Sequence, residues 1–342
     1  MQFITQHGGV FLNQMIQGEP GIFIGPISMV LGAIINAIYF VVSSITPVGA
    51  LGFSIIIMTF VVRSALLPAG FKMQRNSMKM REMKPEQDKI REKYGDTKDP
   101  ELRRKMQAEL QALQSKHGVN MLASCLPMLI TWPLFIGLFA VLGQAFLFVG
   151  SVGDVYSALS SSLIAQGNDF LLRVIGPMAV ARTPMAIAAP DLVNIADMNR
   201  VVHVLSPENW EVIFSNLSGA ALAEVQSLHN EVVSIQSFFG LSLVTASGTS
   251  WPGVLLPILS AGTMALSQYL MTKNNGSDDP SQKMMQKVMM IVFPLMFGWF
   301  TIGAPAGVGL YWVTMNVYLI GQHYLISKYY AKKDEEAKTK AV

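Results

Sequence analysis

The chain has 342 residues, 51% of them hydrophobic and only 14% charged, against roughly 25% charged in soluble domains. With a mean hydropathy of +0.40, that balance excludes an ordinary soluble domain and points to a helical, polytopic membrane protein. The net charge of +3 hides a strong asymmetry along the chain, and the one cysteine, Cys125, excludes an intrachain disulfide and any multi-cysteine metal site.

Residues 1–20 contain no Lys, Arg or Cys, so neither the basic start of a secretory signal nor a lipoprotein anchor is expected. Over 21–45 the chain is apolar and uncharged. Ser28, Gly32, Asn36, Tyr39 and Ser43 fall on one narrow helical stripe. The stripe suits an amphipathic helix lying in the outer interface, with a further spanning helix as the rival. Thr46-Pro47 closes this N-terminal segment, 1–46, and the first core transmembrane helix follows over 47–72. Its central run, 50–70, reads ALGFSIIIMTFVVRSALLPAG, about the length that a ~30 Å hydrocarbon core requires. It holds one ionised side chain, Arg63. A guanidinium inside such a span costs roughly 2.5–3.5 kcal/mol on insertion scales, and with a pKa above ~12 it does not shed its charge. The next basic residue, Lys72, lies about 13 Å further along a helix, so snorkelling eases the cost without removing it. Snorkelling, a structural ion pair and a hydrated functional cavity are the alternatives, and the size of the cost favours the cavity.

A basic helical hairpin is predicted over 73–118. Met80, Met83, Ile90 and Tyr94 recur at near-heptad spacing on a first arm of about 72–94, in which Pro85 predicts a kink. Gly95-Asp96 ends the arm. Asp99-Pro100-Glu101 restarts a helix with an N-cap, a proline in its first turn and an early acid. Leu102, Met106, Leu110 and Leu113 make the facing seam, and Lys116-His117-Gly118 is the stop. Two helices joined by so short a turn pack antiparallel. Met80, Met83 and Met106 suit an adaptable contact surface for varied apolar partners; a merely solvated loop is the bland alternative.

Residues 119–149 form the second span, which Pro127 and Pro133 must bend or deprive of backbone bonds. Residues 150–250 carry amphipathic helix signals at 156–176 and 207–239 around an Ala/Pro-rich stretch near 177–190. They read as an external, mostly helical insertion of modest order, without a metal-ligand or catalytic constellation, and with His203 and His229 as isolated surface histidines. The third to fifth transmembrane helices occupy 251–327. They comprise 251–271 with Pro257 and Gln268, 288–303 broken by Pro294, and 307–327 with Trp312 and Asn316. A basic tail, 328–342, is expected to be unstructured at its end. Thirteen Lys and Arg lie between Lys72 and Lys116, whereas 150–252 holds three beside eight acids. The positive-inside rule then puts the hairpin, the 273–287 turn and the tail in the cytoplasm, and 150–250 outside.

The runs GFSIIIMTFVVRSALLP (52–68), LASCLPMLITWPLFIGLFAVL (122–142), LLPILSAGTMALSQ (255–268) and PAGVGLYWVTMNVY (305–318), with the basic hairpin after the first, resemble the YidC/Oxa membrane protein insertases. The bacterial YidC type fits best. The resemblance implies an all-α polytopic membrane protein of the bacterial plasma membrane. Its five-helix transmembrane core would surround a groove open to the cytoplasm and the lipid but closed outside, with a cytoplasmic helical hairpin and an N-terminal interfacial helix. Arg63 matches the groove arginine, Gln268 and Trp312 match lining positions, and Thr59, one turn before Arg63, shares the groove. The activity implied is insertion rather than enzymatic catalysis, with no cofactor, no metal and no catalytic residue. Partners implied are nascent membrane proteins, the ribosome and signal recognition machinery, the lipid bilayer and a Sec translocon, without sequence-specific nucleic acid binding. A small-solute transporter or anion channel using Arg63 as ligand is the rival reading. A membrane enzyme lacks any of the usual hydrolytic motifs.

Overall fold

The computed structural model describes residues 25–95, 99–118, 121–182, 190–272, 284 and 286–340. The expectations for the first 24 residues and for most of the 273–287 turn lie outside them. Among the described residues the chain is helical apart from one two-residue β-hairpin, Ser237–Phe238 with Leu241–Ser242. The principal helices are α1 Gly25–Ile45, α2 Ala50–Ala65, α3 Leu67–Glu82, α4 Lys84–Tyr94, α5 Pro100–Lys116, α6 Met121–Gly143, α7 Gly150–Ile164, α8 Ile195–Val204, α9 Pro207–Ser215, α10 Gly219–Gln236, α11 Leu255–Thr272, α12 Phe293–Gly303 and α13 Ala306–Lys340.

Local chemistry explains most boundaries. The Asp99 carboxylate accepts from the Glu101 N–H at 2.9 Å and Pro100 opens α5, relieving donors that a helix start leaves unpaired. Ser206 and Asn209 form a reciprocal capping box at α9. Gly95 and Gly118, both at positive φ, stand just after α4 and α5, where a left-handed residue is needed. Prolines account for the breaks. The single first span expected from the sequence is two helices, α2 and α3, because Pro68 has no N–H to offer the Ser64 carbonyl. The kink expected from Pro85 falls at Met83, between α3 and α4. By contrast, α6 runs unbroken through Pro127 and Pro133. Pro294 is the second residue of α12, directly after a π-helical turn, Val288–Val292, and the bond it lacks would have fallen on Met290 within that wider turn.

By length and composition, α1 is the one helix among the described residues long and apolar enough to cross a membrane, while Ala50–Ala65, Trp132–Gly143 and Val288–Gly303 are shorter apolar helices. The tail differs from expectation: α13 stays helical to Lys340. The sequence AKKDEEAKTK is rich in helix formers.

The described chain divides into two compact units, one from Met1–Met58, Pro133–Val254 and Gly303–Leu310, the other from Thr59–Trp132, Leu255–Ile302 and Tyr311–Val342. In the first, the small-residue stripe of α1 faces protein. Ser28 donates to the Gly137 carbonyl at 3.4 Å, and the Gly150 N–H donates to Asn36 Oδ1 at 3.0 Å. A Cβ on Gly32 would stand 2.6 Å from the Phe148 ring, so glycine is what permits that approach. Outward-facing Met29, Val30, Phe40, Val41 and Ile45 are exposed. Ser28, Gly32 and Tyr39 of the stripe are buried together with Leu31, Ile35 and Val42, whereas Asn36 stays exposed and reaches the Gly150 N–H.

The described parts of 150–250 are packed, with α7, α8 and α10 closing over Leu159, Leu163, Met198, Val201 and Val225, all buried, while part of the Ala/Pro-rich stretch near 177–190 lies outside the described residues. Neither histidine is an isolated surface group. His203 Nδ1 lies 3.1 Å from the Tyr156 hydroxyl, and Tyr156 stacks on Phe146 at 4.9 Å. His229 packs 4.3 Å from the Trp210 ring. Burial holds both histidines below the usual imidazole value and pushes the Tyr156 phenol up. Segments just beyond the hairpin tie down the start of α13, with Ala306 N–H donating to the Thr245 carbonyl and Gly307 N–H to that of Leu243, both at 2.8 Å.

In the second unit, α4 and α5 pair through Met83 and Leu113, with Met80 and Ile90 beside them. Lys93 and the Tyr94 hydroxyl both donate to Glu109 Oε1, at 2.6 and 2.9 Å. The seam is shorter than the heptad spacing implied, since Leu102 is exposed. In the same unit α11 meets α12, where Gly298 lets the Pro257 carbonyl and Ala261 come close.

Candidate functional site

The arginine that the apolar run cannot hide lies in the last turn of α2. It is partly buried, and its Nη2 donates to the Tyr311 hydroxyl at 3.3 Å and to the Met315 sulfur, both from α13. Both partners are neutral. Among the described residues no carboxylate pairs with Arg63, so its charge is solvated by dipoles rather than cancelled. A turn further on, the Ser64 and Tyr318 hydroxyls stand 3.2 Å apart, and Phe60 meets Tyr318 edge to face at 5.5 Å. One face of α13 thus presents Tyr311, Met315 and Tyr318 to the cationic end of α2, as spacings of four and three residues on a helix require.

The other expected groove residues occupy different environments. Thr59 is only 1% exposed and Trp312 only 6%. Trp312 is gripped edge to face by Phe297 at 4.6 Å and Phe300 at 5.6 Å, which makes it a wall between α12 and α13. Gln268 is half-buried on α11, and its carbonyl accepts the Thr272 hydroxyl at 2.7 Å. Asn316, 4% exposed, donates to the Thr263 hydroxyl at 3.3 Å. That bond links α11 and α13 through Asn316, which the sequence singled out, and Thr263, which it did not; Ser260, Ser267 and Thr314 are buried on the same two helices. Polar residues at three- and four-residue spacing inside apolar runs were the available signal. The side chains that meet Arg63 are Tyr311 and Met315, and neither stood out in the sequence.

The hairpin methionines separate similarly. Met83 is fully buried against Leu113, so in this packing it holds the hairpin together instead of presenting a contact surface. Met80 packs beside it and Met106 is half-buried.

The family model described as 60Kd inner membrane protein matches residues 41–334, which takes in all of these elements except most of α1 and the end of α13. The chain belongs to this family, the YidC/Oxa proteins. Its similarity extends to the membrane protein insertase MisCA of Bacillus subtilis, 27% identical over 83% of this chain and 73% of that protein. It is 26% identical to the membrane protein insertase YidC of Oceanobacillus iheyensis, over 81% of this chain and 74% of the relative. A chloroplast relative, ALBINO3-like protein 1 of Arabidopsis thaliana, is 27% identical over 83% of this chain but only 44% of its own length. Like other YidC/Oxa proteins, this one is a membrane protein.

Proposed function

We propose that this protein is a membrane protein insertase that moves short polar tails of nascent membrane proteins across the bilayer and releases their apolar helices into lipid. The observation that carries the reading is Arg63 held by a phenol and a thioether, with no carboxylate partner among the described residues. A fixed cation with uncancelled charge attracts an acidic group on a passing chain, and a charge-assisted bond to it offsets part of the desolvation that such a tail suffers on leaving water. The substrate's apolar helix then partitions into lipid, a step favourable by itself. The core spans in this reading are α2 with the start of α3, α6, α11, α12 with its preceding π-helical turn, and the apolar part of α13. The basic hairpin and the tail lie in the cytoplasm, where they receive substrate from the ribosome and signal recognition machinery, alone or beside a Sec translocon. The outward apolar face of α1 supports a sixth span rather than an interfacial helix.

The test uses purified protein in proteoliposomes without nucleotide, with a single-spanning substrate carrying a short acidic external tail and a twin whose tail is neutral. Arg63→Ala should slow the acidic substrate roughly 10- to 100-fold, the worth of a hydrogen bond to a charged group, and the neutral twin much less. Arg63→Lys should be milder, since it keeps the charge and loses the fork. Solute flux without insertion would replace this reading with a transporter.

A further inference from the structure

A cavity of about 550 Å³ opens beside the cytoplasmic end of the first span, between the α2–α3 junction and the far part of α13. Its lining divides by chemistry. Leu67, Pro68 and Phe71 form an apolar side, Lys72 and Arg75 a cationic side, and Ser64 and Tyr330 contribute hydroxyls. No acid belongs to the lining, and among the described residues no ion pair engages Lys72 or Arg75. The two cations are three residues apart on α3 and so share a face. The Ser64 hydroxyl is already bonded to Tyr318, which leaves Tyr330 as the hydroxyl closest in character to a free donor. The cavity sits where the apolar run, ending at Gly70, gives way to the basic run that begins at Lys72. In a spanning helix that is the depth of the lipid phosphates.

We propose that this cavity is a binding site for the phosphodiester headgroup of an anionic phospholipid. Lys72 and Arg75 take the phosphate, Arg75 through its planar fork, and Tyr330 donates to a phosphate or glycerol oxygen. Leu67, Pro68 and Phe71 lie against the glycerol and the first methylenes. The volume is within the range of ligand sites that hold a group of this size. The apolar side is what favours a lipid over free phosphate, because inorganic phosphate would gain nothing from it. The site is separate from the insertion reading and needs only that the chain is embedded in a membrane.

The experiment is native mass spectrometry of the full chain released from nanodiscs of phosphatidylglycerol and phosphatidylcholine, with inorganic phosphate as competitor. Wild type should retain phosphatidylglycerol preferentially. The double variant Lys72→Gln, Arg75→Gln should lose that preference roughly tenfold or more, as expected for two basic residues at the surface of an anionic leaflet. The control Lys89→Gln, Lys105→Gln removes the same charge from the exposed hairpin and should retain it. Phe71→Ala should weaken retention of the lipid while leaving any binding of inorganic phosphate unchanged. Equal loss in both double variants, or equal retention of phosphatidylcholine, would show diffuse attraction and overturn the site. Displacement of the lipid by inorganic phosphate at millimolar concentration would assign the cations to free phosphate, and displacement by polyglutamate would assign them to acidic polypeptide; either overturns the lipid.

Discussion

Arg63 is solvated by two groups that a scan for ion pairs would pass over. A phenol and a thioether leave the positive charge intact, whereas an Asp or Glu at Tyr311 would cancel it. The exchange expected of Tyr311→Glu is therefore a large loss of insertion of the acidic-tailed substrate, comparable with Arg63→Ala, although Arg63 itself is unchanged; proteoliposome insertion measures it. Met83 carries a different lesson at the same scale. Its residue type suits an adaptable contact surface, but its side chain is the centre of the hairpin's own core. Met83→Ala should cost about 2–5 kcal/mol of local stability, the usual range for emptying a core methionine site. Hydrogen exchange across 84–94 and 100–116 would report it, and unchanged protection there would contradict the packing.

At the scale of elements, α7, α8 and α10 pack together, and the histidines set among them predict a pH dependence. His203 and His229 are both held below the ordinary value of 6.5, chiefly by burial. The unfolded chain then binds protons at a higher pH than the folded one, so stability is full above 6.5 and falls as pH drops below it toward the folded values. Protection of α7, α8 and α10 against hydrogen exchange should decline between about pH 6.5 and pH 5, and His203→Phe with His229→Phe should flatten that dependence. The hairpin pair responds elsewhere. Lys93 holds Glu109 below the ordinary carboxylate value of 4.5, so that contact is complete above 4.5 and lost as pH falls further. Helix starts and stops at Asp99, Gly95 and Gly118 were legible beforehand, because caps act within a few residues, whereas the break at Met83 was legible only as an irregularity near Pro85. The split of the first span at Leu66 was not anticipated, although Pro68 was in plain view. A proline can be absorbed, as α6 absorbs two, or can end a helix, and the sequence does not distinguish those outcomes.

For the whole molecule, the hairpin's described core is its own, Met83 with Leu113. Deleting 73–117 should therefore leave the remaining helices folded by circular dichroism while sharply reducing co-translational delivery of substrate. A collapsed bundle would instead make the hairpin a structural strut. Membership of the YidC/Oxa family was also legible, in four ordered apolar runs around Arg63, although the relatives described are only 26–27% identical to this chain.

Hydropathy, charge asymmetry and cap chemistry are properties of short stretches, so the chain alone determined that it is helical, membrane-embedded and interrupted by a basic hairpin. Tertiary structure alone decided which way each face turned. The stripe of α1 was visible as a periodicity, but in a protein whose solvent is partly lipid a polar stripe is as ready to face a neighbouring helix as to face water. The partners of Arg63, 248 and 252 residues away along the chain, and the burial of Met83 and His203 depend on contacts that no local window contains.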